Sequence, residues 1–149
     1  MMSLNKSQDF MEDWTHWEPV EKISGRYYID ALILSEKHDL IIKLSNENDT
    51  HKIKITFPNP VGSYKYTNES FCFKIFGDLS DKYGVQFYSN WSFFKVTNSN
   101  YLQWLSEKSC TVSDYLPFQH FCIIGGNEII DVLAQKEPEV TIVLSEKVV

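Results

Sequence analysis

The sequence predicts an α+β fold: a mainly antiparallel sheet with an N-terminal meander, a C-terminal hairpin, and one or two helices packed on a face. Three observations predict it. The first half contains three strand-like runs separated by turns of about four residues. Two apolar runs flank the turn at Gly125, Gly126 and Asn127, which is a hairpin signal. Residues 98–108 carry apolar side chains at helical spacing.

The meander is predicted from residues 26–35, 40–45 and 51–57. The first run is nearly all apolar, which is typical of a central strand covered on both faces. In the third run two lysines alternate with apolar residues, which predicts one face in solvent and one in the core. Two prolines end the meander, and residues 61–66 form a short further strand.

Two segments are predicted to be helical. Residues 74–83 have weak helical character and end at Gly84, a suitable C-terminal cap. Residues 98–108 form the stronger helix, capped by Asn98 or Ser99. Trp104 lies on the apolar face of this helix, so we expect it in the core.

Four strands are predicted in the second half. Residues 91–97 are rich in aromatic and β-branched side chains. Residues 118–124 and 128–134 form the two strands of the hairpin, and residues 139–144 form a final strand. The loop between the second helix and the hairpin covers residues 109–116.

The chain has 149 residues, the size of one ordinary domain, and we expect a single domain over residues 1–149. Residues 1–13 are polar and acidic and are expected to form a loose tail. We find no apolar signal-peptide core at the N-terminus and no run of about 18 apolar residues. Three cysteines are too few and too scattered for a disulfide framework. We therefore expect a cytoplasmic protein without membrane contact.

Charge narrows the class of partner. The chain carries 20 acidic and 14 basic residues, a formal net charge of −6, and its one arginine is Arg26. This balance argues against direct nucleic-acid binding, which depends on neutralising phosphates. An acidic surface favours a basic protein partner and speeds the encounter with it.

The sequence shows no motif for nucleophilic hydrolysis or phosphate binding, and it predicts neither a catalytic residue nor a cofactor. One metal-site alternative has His120 and Cys122, two apart on a strand, with a third ligand from His16, His38 or His51. We favour a buried Cys122 and a hydrogen-bonded His120, and predict no metal. Asp131 interrupts an apolar run on the neighbouring hairpin strand, so it forms a possible buried polar pair with His120.

Two sets of residues are candidates for binding a protein partner. Trp14, Trp17 and Glu18 combine aromatic side chains with an acidic group near the N-terminus. Asp78 and Asp81 are three residues apart on a predicted helix and would share a face. For both sets the alternative is ordinary packing or a solvated face.

The second half of the chain resembles a known group of sequences. The resemblance is carried by residues 91–106, WSFFKVTNSNYLQWLS, by His120 and Phe121, and by the apolar run 129–133 around Asp131. Across about residues 26–140 the chain resembles a family of small uncharacterised proteins of low-GC Gram-positive bacteria. Some members are encoded beside polymorphic toxins, which implies that they are immunity proteins. The shared motifs are aromatic and apolar, so they specify a fold better than an activity.

We therefore expect a non-catalytic protein-binding protein, an immunity protein that neutralises a basic toxin domain by direct binding. The alternative is a phage or host regulatory protein that binds another cellular component, for example as an acidic mimic of nucleic acid. A third hypothesis is a small enzyme that uses His120 and Asp131.

Overall fold

The computed structural model describes residues 10–144 except residues 22 and 24. These residues form nine strands, three α-helices and two short 3₁₀ helices. The strands are β1 Asp13–His16, β2 Tyr27–Leu34, β3 Leu40–Asn46, β4 His51–Phe57, β5 Val61–Asn68, β6 Phe93–Thr97, β7 Gln119–Ile124, β8 Glu128–Ala134 and β9 Glu139–Leu144. The α-helices are α1 Phe73–Tyr83, α2 Gln86–Ser89 and α3 Asn100–Lys108, and the 3₁₀ helices are Glu69–Phe71 and Val112–Tyr115.

The predicted meander is confirmed as β2, β3 and β4, and β9 pairs with β4 to complete a four-stranded antiparallel sheet in the order β2-β3-β4-β9. The prediction that the first run is a central strand is wrong, since β2 lies at the edge of this sheet. Ile33 and Leu34 are 38% and 50% exposed there. The apolar character of the run misled the prediction because pairing to one neighbour leaves much of β2 in solvent.

A second sheet has five antiparallel strands in the order β1-β6-β7-β8-β5. The predicted hairpin is confirmed as β7 and β8. β5 is longer than predicted and pairs with β8 rather than with the meander. The predicted tail ends at Asp13, where β1 begins, and the four residues of β1 pair with β6. Residues 1–9 of that tail lie outside the described residues.

The two sheets enclose the main core. Apolar side chains of β3 and β4, such as Ile42 and Ile55, pack in one cluster with Phe121, Ile123 and Val132 of the five-stranded sheet. The opposite face of the five-stranded sheet packs against the helices. On that face the side chains of β7 and β8 are apolar with two exceptions, and these two strands are buried on both faces.

Both predicted helices are confirmed. Gly84 ends α1 with a φ of 87°, a conformation that favours glycine, and its N–H donates to the Ser80 carbonyl. Ser99 caps α3, since its hydroxyl accepts the N–H of Leu102.

The prediction that Trp104 is a core residue is wrong: it is 43% exposed. Tyr101 and Leu105 occupy the buried face of α3, and Trp104 lies at the side of that face. Its ring packs on Tyr101, with centroids 5.4 Å apart, and the rest of it faces solvent.

Candidate functional site

A cleft of about 510 Å³ opens on the helix-covered face of the five-stranded sheet. Its floor comes from the segment around β1 and from β7 and β8, and its walls come from β5, α1 and the start of α3. The residues that line it are Phe10, Glu12, Trp14, Lys65, Thr67, Phe71, Cys72, Lys74, Ile75, Asp78, Asn100, Tyr101, His120, Ile129 and Asp131. Its volume lies in the range of about 300–1,000 Å³ typical of ligand-binding pockets.

The predicted polar pair lies on the floor of this cleft. His120 and Asp131 are the two polar exceptions on β7 and β8, and both are buried. The Nε2 atom of His120 is 2.7 Å from Oδ1 of Asp131. The closeness of the pair is thus confirmed, and it follows from the hairpin register, in which Asp131 lies opposite Cys122, two residues from His120.

The other ring nitrogen of His120 is also engaged. Its Nδ1 atom lies 2.7 Å from Oγ of Ser99, which is itself buried. Because Ser99 Oγ already accepts the N–H of Leu102, its own hydrogen is available to Nδ1. A neutral imidazole protonated on Nε2 satisfies all of these hydrogen bonds, since it accepts from Ser99 and donates to Asp131.

Glu12 is a second buried carboxylate on the floor of the cleft. Its Oε2 accepts the backbone N–H of Asn100 at 2.8 Å, and its Oε1 accepts the indole N–H of Trp14 at 3.2 Å. It thereby places a negative charge at the N-terminus of α3, where the helix dipole favours it. From the sequence, Glu12 was expected in the polar tail. Its partner Asn100 is 88 residues away, so no local pattern indicates that Glu12 is buried.

The surroundings of Asp131 contain two thiols. Burial raises the pKa of Cys122 well above its ordinary value, and the Asp131 carboxylate raises it further. Burial, followed by the same carboxylate, also raises the pKa of Cys72. Both thiols therefore stay protonated, and neither has the lowered pKa of a reactive cysteine.

Ser99, His120 and Asp131 are linked in the order of a nucleophile, a base and an acid, but the arrangement does not present a nucleophile to the cleft. Ser99 does not line the cleft, and its hydroxyl is committed to the cap of α3 and to His120. Both ring nitrogens of His120 are occupied. These contacts hold the start of α3 against the sheet.

The metal-site alternative has no support in the described part of the chain, where no three His, Cys, Asp or Glu side chains are placed to hold a metal ion. His120 uses both nitrogens for protein contacts. His51 bonds Asn46, and His16 lies 2.7 Å from the carbonyl oxygen of Phe87. His38 lies in the turn between β2 and β3, on the other sheet.

The two predicted sets of partner-binding residues differ in how far they are exposed and in whether they line the cleft. Trp14 and Trp17 are only 4% and 7% exposed, so they pack in the core and leave Glu18 as the exposed member of that set. Trp14 lies in β1 and Trp17 follows it directly, and their rings pack on Phe94 and Phe93 of β6. Asp78 lines the cleft and pairs with Lys74 at 2.8 Å, whereas Asp81 is exposed on α1 outside the lining.

Two exposed aromatic side chains near the cleft were not predicted from the sequence. Phe71 and Phe73 are 82% and 81% exposed, and Phe71 lines the cleft. Cys72 between them is buried, so the backbone turns both rings outward as the chain enters α1. In the sequence, two phenylalanines flank one small apolar residue, as Phe71, Cys72 and Phe73. This pattern is equally typical of a strand that buries its aromatic side chains, so it did not indicate exposed rings.

Comparisons with models of protein families, with curated proteins and with solved structures found no match for this chain. The family resemblance noted above therefore stays a prediction. Among the described residues, no helix is both long and apolar enough to cross a membrane.

Proposed function

We propose that this chain is a non-catalytic protein-binding protein, an immunity protein that neutralises a cognate toxin domain by direct contact, and that the rim of the cleft is its contact surface. The observation that carries the proposal is the exposure of Phe71, which lines the cleft of about 510 Å³, and of Phe73 two residues further on.

Exposed phenylalanines of this kind contribute little to folding. About four fifths of each ring stays in contact with water, so most of the free energy available from burying the rings is gained only when another surface covers them. Aromatic anchors next to a concave surface are typical of the centre of a protein interface. A partner that covers both rings would bury them and fill the adjoining cleft.

Charge supports a basic partner. The chain as a whole has a formal net charge of −6. Glu69 lies two residues before Phe71, and Asp78 and Asp81 lie on α1, where Asp78 pairs with Lys74. Acidic groups near a contact surface accelerate association with a basic domain and make the rate depend on salt.

The contacts of the buried polar cluster support a non-catalytic role. Ser99, His120 and Asp131 satisfy one another and the cap of α3, which is the behaviour of a structural network. The side chains that face outward at the rim are aromatic or paired charges, and these suit recognition better than group transfer.

The proposal is tested by co-expressing the chain with each toxin domain encoded near its gene and measuring cell survival. We expect protection against one toxin, loss of protection with Phe71→Ala/Phe73→Ala, and full protection with Asp30→Asn on the opposite sheet as the matched control. Failure to protect against every such toxin would contradict the immunity role. Protection that survives loss of both phenylalanines would place the contact surface elsewhere.

A further inference from the structure

The floor of the cleft buries two carboxylates that pair with no lysine or arginine of the described residues. Glu12 and Asp131 are 6% and 8% exposed. Among the described residues, neither has a lysine or arginine nitrogen within 4.0 Å, and the one nitrogen that approaches Asp131 at ion-pair distance belongs to His120. Burying an ionised carboxylate costs free energy unless a cation or sufficient hydrogen bonds compensate it.

Aromatic rings complete the environment that a cation prefers. Trp14, Phe71 and Tyr101 line the same cleft as the two carboxylates. Cations are attracted to aromatic faces as well as to carboxylates. One cation of the chain itself already lies over one of these rings: the Nζ atom of Lys65 is 4.4 Å from the centre of the Tyr101 ring.

Lys65 also shows where space remains. It lies directly opposite Asp131 in the pairing of β5 with β8. Its ammonium nevertheless lies over the Tyr101 ring and does not come within 4.0 Å of the Asp131 carboxylate.

We propose that the cleft receives a lysine or arginine side chain of the protein partner, with its cationic head group against Asp131 and Glu12 and its stem beside Tyr101 and Phe71. The inference rests on the proposed function for the statement that the ligand is part of a protein. Both carboxylates are already held in place, Asp131 by His120 and Glu12 by Trp14 and Asn100, so little ordering is required when the cation binds.

The test uses three blocked tripeptides, acetyl-Ala-Xaa-Ala-amide, in which Xaa is arginine, norleucine or glutamate. Binding to the full chain is followed by ¹H–¹⁵N NMR through the Trp14 indole N–H and the Asn100 backbone N–H, because both donate to Glu12. We expect saturable shifts of these two signals with the arginine peptide at millimolar concentration. The norleucine and glutamate peptides should leave them in place.

Three variants sharpen the test. Asp131→Asn keeps an acceptor for His120 but removes the charge, so it should weaken arginine-peptide binding about tenfold or more. Asp30→Asn removes an exposed carboxylate on the other sheet and should bind as the wild type does. Lys65→Met removes a competing ammonium and should strengthen binding severalfold. Circular dichroism checks that each variant keeps the fold.

Several results would overturn the inference. Equal shifts with arginine and norleucine peptides would show that charge is not recognised, and unchanged binding by Asp131→Asn would show that the floor is not used. Binding by Lys65→Met alone would show that the chain's own lysine fills the site. If Asp131→Asn still protects cells from the toxin while Phe71→Ala/Phe73→Ala does not, the cation site is wrong and the proposed function stands.

Discussion

Replacing Phe71 and Phe73 by alanine should abolish partner binding while leaving the fold nearly as stable as before. Full burial of a phenylalanine side chain stabilises a protein by roughly 1.5–3 kcal/mol. The two rings are 82% and 81% exposed, so folding buries about a fifth of each. The double substitution should therefore cost about 1 kcal/mol in all, a fall of roughly 2–4 °C in Tm for a chain of this size.

Binding should respond much more strongly. A buried aromatic anchor at the centre of an interface contributes about 2 kcal/mol or more, so loss of two anchors should weaken binding by about a thousandfold. Isothermal titration with the purified toxin domain measures this change, and thermal unfolding of the same samples measures stability. Phe94→Ala is the matched control for folding, because Phe94 is 0% exposed and its loss should cost about 3–5 kcal/mol.

Either of two outcomes would contradict this prediction for Phe71 and Phe73. A large loss of stability in the double variant would show that the two rings pack against the body of the protein. An unchanged affinity in a stable double variant would show that the partner does not contact this rim.

Three further predictions concern stability and reactivity. Trp104→Ala should cost only about 1–2 kcal/mol by thermal or urea unfolding, because Trp104 is 43% exposed, whereas a cost near 5 kcal/mol would restore it to the core. In the native state an alkylating reagent should modify exposed Cys110 first, and mass spectrometry should find Cys72 and Cys122 modified only after unfolding, because burial shields them and raises the pKa of both thiols. Burial and Glu69 raise the pKa of Glu128 in the folded state, so its stabilising contribution is present at acid pH and lost as the pH rises through that pKa. Glu128→Gln should accordingly raise Tm at neutral pH but not at about pH 3, and a Tm gain that is equal at both values would contradict this cause.

The fold was predictable where a pattern is local. Strands β3 and β4 alternate apolar and polar residues, the Gly125–Gly126 turn defines the hairpin, and Ser99 caps α3 with its own side chain. Each of these signals depends on residues a few positions apart, so the sequence contains them in full.

The arrangement of strands in two sheets was not predictable in this way. β9 pairs with β4, and β5 pairs with β8, in each case across many residues of sequence. Local propensity describes a strand but does not choose its neighbour. The same limit explains the error at Trp104, whose helical spacing is correct but whose exposure depends on where the buried face of α3 ends.

The candidate site was predictable in part. Asp131 stood out because a charge within an apolar strand needs a partner, and the hairpin register supplied His120. Glu12 was missed because its burial depends on the N-terminus of α3, which is distant in sequence. Phe71 and Phe73 were missed because their exposure depends on the backbone turn that buries Cys72.

The most direct test of the proposed contact surface is a hydrogen–deuterium exchange footprint of the chain with and without its toxin domain. We expect slower exchange on binding in the Glu69–Phe71 turn, in α1 and at the start of α3, the elements that surround the cleft. Protection confined to the exposed face of the four-stranded sheet, with no change around the cleft, would contradict it.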